Sequence, residues 1–102
     1  MEQDIITITN KSMDDIISRF ESQFKPSEEY SNIFDTTKIF VVEKYYFRIE
    51  SNLAATVIFD EINENEVKVI VIVAGGKQGS LDLSWGSEKS MLKNIMDYFR
   101  AM

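Results

Sequence analysis

The clearest periodicity in the chain is helical. Met13, Ile16, Ile17, Phe20 and Phe24 fall on one apolar stripe with a repeat near 3.6 residues. Ser12 stands where an N-cap belongs, and Asp14 and Asp15 fall in the first turn, where the helix dipole favours negative charge. Pro26 closes the segment. The pattern predicts a helix over 13–24. A second stripe, Met91, Leu92, Ile95, Met96, Phe99 and Met102, predicts a helix from about Ser87 to Ala101, opened by Ser87 and Glu88.

Elsewhere the period is two. Residues 4–9 predict a strand with Ile6 and Ile8 on one face and Ile5, Thr7 and Thr9 on the other. Residues 25–36 read as a polar connection anchored by Tyr30, Ile33 and Phe34. Residues 38–49 form a long β-rich run. A single parity through that run would align Glu43 with Val41 and Tyr45, so a bulge is expected near Glu43-Lys44. Glu50-Ser51-Asn52 reads as a turn. Residues 53–61 and 67–74 then predict a hairpin around Asn63-Glu64-Asn65. A glycine-rich break at Gly75–Ser80 precedes an optional short strand, Ser80–Leu83.

The predicted order is β-α-β-β-β-(β)-α, a single α+β domain over residues 1–102. Its expected form is a mainly antiparallel sheet of four to five strands with two amphipathic helices on one face. The inward face is Leu53, Ala55, Val57 and Phe59 beside Val67, Val69, Val71 and Val73. The other face of a two-layer domain should read polar. Here it carries Ile58, Ile70, Ile72 and Ala74, with Phe40, Val42 or Tyr46 as further candidates. Three explanations fit such a face: a homodimer interface at Ile58, Ile70 and Ile72, a cover made by residues 25–36, or the wall of a ligand cavity.

Composition narrows the chemistry. The 17 acidic and 11 basic residues leave a net charge of −6, which repels nucleic acid and anionic membrane surfaces. Histidine and cysteine are both absent. That removes the usual general base near neutral pH and every nitrogen or sulfur ligand for zinc, so no metal or other cofactor is expected and an enzyme is disfavoured. The acidic start and the lack of a long apolar run predict no signal peptide and no membrane span. The absence of cysteine suits the reducing cytoplasm.

The remaining motifs are weak. Gly75, Gly76, Lys77 and Gly79 offer a flexible, anion-friendly loop but lack the spacing of a phosphate-binding loop. Asp60–Glu66 fails the calcium-loop pattern, because Ile62 stands third and no glycine stands sixth. Lys44–Arg48 interleaves basic and aromatic residues without the glycines of an RNA-recognition strand. A small-ligand cleft formed by Tyr46, Arg48, the Gly75–Gly79 loop and Trp85 is the alternative to association.

Glu43–Arg48, Asn52, Thr56-Val57, Gly75-Gly76 and Trp85–Glu88 together resemble a family of small single-domain bacterial proteins, mainly Gram-positive, with no assigned function. Ser84 stands where that family places an acidic residue. The resemblance implies a single domain and carries over no catalytic residue.

Overall fold

The computed structural model describes residues 1–46, 51–75 and 81–102, and their side chains except those of 45–46, 51–52 and 81–87. In chain order the elements are β1 (Glu2–Thr9), α1 (Met13–Phe24), β2 (Glu28–Ser31), β3 (Thr37–Tyr46), β4 (Ser51–Asn63), β5 (Glu66–Gly75) and α2 (Leu81–Arg100). The strands form one five-stranded sheet in the order β1-β5-β4-β3-β2, with every neighbouring pair antiparallel. Both helices pack on the same side of it, an α+β arrangement.

The helix boundaries follow from local chemistry. Ser12 Oγ accepts the Asp15 N–H at 3.2 Å and caps α1. At the other end Lys25 takes the left-handed conformation, φ 50°, and its N–H closes on the Glu21 carbonyl at 3.0 Å. Pro26 cannot continue the ladder. The apolar stripe of α1 then meets the sheet through Phe20, whose ring lies 5.5 Å from Phe40, 5.3 Å from Phe59 and 5.8 Å from Phe99. One side chain thereby ties α1 to β3, β4 and α2. Val67, Val69, Val71 and Val73 beneath the helices are fully buried, each worth roughly 1.5–3 kcal/mol relative to exposure. Tyr98 donates its hydroxyl to the Arg19 carbonyl at 3.0 Å and couples the two helices.

Five expectations change. Glu28–Ser31, read as connection, is strand β2. It is an edge strand of mostly exposed residues, so it needs no hydrophobic alternation and left no pattern to detect. Leu81–Leu83, expected as a strand, belong to α2, which starts earlier than Ser87. Leu81, Trp85, Glu88, Leu92, Ile95 and Phe99 recur at helical spacing, but the charge of Glu88 hid that stripe. Ser51 and Asn52, read as a turn, pair with Tyr46 and Tyr45.

The expected bulge at Glu43-Lys44 is absent, and the β3–β4 register runs unbroken. Glu43 lies on the helix-free face, exposed, where its carboxylate accepts the Ser27 hydroxyl at 2.8 Å and bears no burial cost. The irregularity falls instead between Glu61 and Asn63, before the Glu64-Asn65 turn. Finally, Phe40 and Val42 are buried under the helices; Ile39 and Val41 occupy the other face.

Candidate functional site: the open face of the sheet

Cross-strand partners share a face, so the register turns separate strands into rows. One row runs Ile5, Ile70, Ile58, Ile39, Tyr30, each directly opposite the next, across all five strands. The row on one side of it is Gln3, Ile72, Thr56, Val41, Glu28. On the other side stand Thr7, Lys68, Asp60 and Thr37, and the Thr37 hydroxyl donates to Asp60 Oδ1 at 3.2 Å. These rows lie opposite the helices.

The central isoleucines are half-buried by their neighbours, while the outer members Ile5 and Tyr30 are 57% and 61% exposed. Ile58, Ile70 and Ile72 thus lie side by side on this face. Ile5, Ile39 and Tyr30 complete the row, and their strand parity alone could not place them because strand order is invisible in sequence.

Residues 25–36 extend the sheet rather than cover it. Their loop, between β2 and β3, is tightly built. Asn32 Oδ1 accepts the N–H groups of Thr36 and Thr37 at 2.9 and 3.0 Å, and Asn32 Nδ2 donates to the Thr36 hydroxyl at 2.9 Å. Asp35 adopts φ 55° and donates its N–H to the Asn32 carbonyl at 3.1 Å. At the tip Ile33 and Phe34 stand 88% and 77% exposed.

Both sheet edges are blunted. On β1 the Asp4 carboxylate accepts the Ile5 N–H at 2.8 Å through one oxygen and Arg100 at 2.9 Å through the other. On the far side β2 is short and carries Glu28 and Glu29. Charged, short or side-chain-capped edges disfavour strand addition.

The proposed ligand residues are only partly brought together. Tyr46 and Gly75 end β3 and β5 at the end of the sheet where β4 begins, and Trp85 lies within α2. Arg48, Gly76, Lys77 and Gly79 lie outside the described residues. Among the described residues, solvent-open depressions occur elsewhere. One of about 450 Å³ is lined by Glu21, Lys25, Pro26, Ser27, Glu28 and Glu29. Another of about 340 Å³ runs between β1 and α2, where Lys89, Lys93 and Arg100 face Glu2 and Asp4. Among the described residues no group of three or more His, Cys, Asp or Glu could hold a metal ion. No described helix is long and apolar enough to cross a membrane.

Glu88, read from sequence as a helix-opening acid, is instead a buried carboxylate at 5% exposure. Its Oε1 lies 2.8 Å from the Met1 ammonium and has no other hydrogen-bond partner among the described residues. That hydrogen bond raises the pKa of the Met1 amino group above its ordinary value. On the surface of α2, Lys93 donates to Asp97 and, with Arg100 nearby, holds the Asp97 carboxyl below its ordinary value.

No curated protein of known function matches the chain, and no solved structure does. A family model matches residues 3–102. The chain therefore belongs to the DUF6054 family, a family of unknown function.

Proposed function

We propose that the chain is a non-catalytic association module that forms a homodimer through the open face of its sheet. The observation that carries this is the apolar row Ile5, Ile70, Ile58, Ile39 and Tyr30, in register across five strands on the face without helices. A sheet face is matched in shape by another sheet face packed about 10 Å away, and a second copy supplies one. The blunted edges leave the face as the route to association. A net charge of −6 makes two copies repel over most of their surfaces. On the open face Lys68 stands directly opposite Asp60 and offsets it, and the acids Glu28, Glu43 and Glu66 lie towards the margins of the apolar row. A cytoplasmic setting suits a cysteine-free chain.

The test is solution mass by light scattering from low to high micromolar concentration. Wild type is expected to be a dimer, and Ile70→Lys a soluble, folded monomer. A monomeric wild type at the highest concentration discards the proposal.

A further inference from the structure

We infer that the rim of this interface, more than its centre, holds the two copies together: the Ile33-Phe34 tip of each protomer packs against the second copy. The inference rests on the homodimer reading and goes beyond it by naming where the contact is strongest. The centre of the face has only part of its surface left to bury, because Ile39, Ile58, Ile70 and Ile72 are partly covered by their neighbours, so the row contributes less than its number of side chains suggests.

In plan, five strands about 4.8 Å apart and three rows about 7 Å apart make a patch of roughly 500 Å². A stable interface takes about 800 Å² from each partner. The tip supplies area of the missing kind. An aromatic side chain offers about 150–250 Å² for burial, and Phe34 is 77% exposed with Ile33 beside it at 88%. Neither belongs to the buried core cluster.

The tip is also prepared for contact. Asn32 binds Thr36 and Thr37 through its side chain, and Asp35 closes the turn. Association therefore does not have to order this loop, which removes one of the usual costs of binding.

The experiment is sedimentation equilibrium on the full chain as wild type, Ile70→Lys and the double variant Ile33→Ser/Phe34→Ser. Far-UV circular dichroism and amide proton dispersion confirm that each is folded; the double variant keeps Asn32 and hence the loop. The expected result is a dimeric wild type whose dissociation constant rises about tenfold or more in the double variant, as loss of an interface hot spot requires. A double variant that dimerises like wild type while Ile70→Lys is monomeric overturns the tip contact and leaves the homodimer reading standing. A monomeric wild type overturns both. Flotation of wild type with phosphatidylcholine/phosphatidylglycerol vesicles, lost in the double variant, would assign the tip to lipid and overturn the second copy as its occupant.

Discussion

Along the middle of β5 the two faces of the sheet carry equally apolar residues and have opposite fates. On β5, Val67, Val69, Val71 and Val73 point under the helices and are fully buried. The residues between them include Ile70 and Ile72, equally apolar and equally branched, yet these are only partly buried. The strand does not distinguish them; what lies above it does. Apolar alternation on one side and apolar residues on the other describe a sheet that expects two covers, and the described part of the chain provides one. Burial on the first face stabilises the protomer, whereas residual exposure on the second is available for association.

Val57 and Ile58 are adjacent on β4 and sit on opposite faces, so they give the sharpest way to break this comparison. Val57→Lys places an ammonium at a site with 0% exposure. Its cost is expected to approach the whole stability of a small domain, about 5–15 kcal/mol. Loss of near-UV circular dichroism and of cooperative urea unfolding would show it; a folded Val57→Lys would refute the assignment of faces. Next in size, Phe20→Ala removes the ring that joins both helices to the sheet. It is expected to lower the free energy of unfolding by about 3–5 kcal/mol, read as a drop in urea midpoint at unchanged slope.

Asn32→Ala comes third. It deletes the side-chain hydrogen bonds that shape the β2–β3 loop and is expected to cost about 1–2 kcal/mol. The loss should appear in the same urea titration, with hydrogen exchange at Thr36 and Thr37 accelerated more than in β5. Ile58→Lys, measured at concentrations low enough for monomer, is expected to change stability by less than about 1 kcal/mol. An effect as large as that of Val57→Lys would mean the open face is covered.

The smallest effects are those of pH. Asp97 has its pKa lowered by Lys93, so its contribution is present above its unfolded value near 3.8 and fades as pH falls through the lower folded value. Met1 is the reverse. Its raised pKa gives a contribution present below about 8.0 that is lost as pH rises through the folded value. Thermal melts should show a shallower acid limb in Lys93→Gln and a shallower alkaline limb in Glu88→Gln. Unchanged limbs would deny these pairs a role.

Much of the first face was legible from sequence. The stripes of Met13–Phe24 and Met91–Met102 and the alternation of Leu53–Phe59 and Val67–Val73 are strong periodic signals. The open face was legible as an anomaly through Ile58, Ile70 and Ile72, but its extent was not. Tyr30 joins it only because β2 pairs with β3, and β2 carries no strand pattern. Glu88 was misjudged for a related reason. A charged residue inside an apolar stripe looks like the stripe's end unless its partner, here the distant Met1 ammonium, is known to be there.

The sequence by itself determined what depends on near neighbours: where α1 caps and stops, where α2 ends, and which residues alternate across a strand. These follow from steric and hydrogen-bonding preferences within a few residues, so they are written locally. The tertiary structure alone decided strand order, the row that aligns Ile5 with Tyr30 across five strands, the addition of β2, and the placing of Glu88 against Met1. Each of these joins residues that no local preference couples. Their free energy arises only when the whole sheet has closed and the pieces of chain that form it have met.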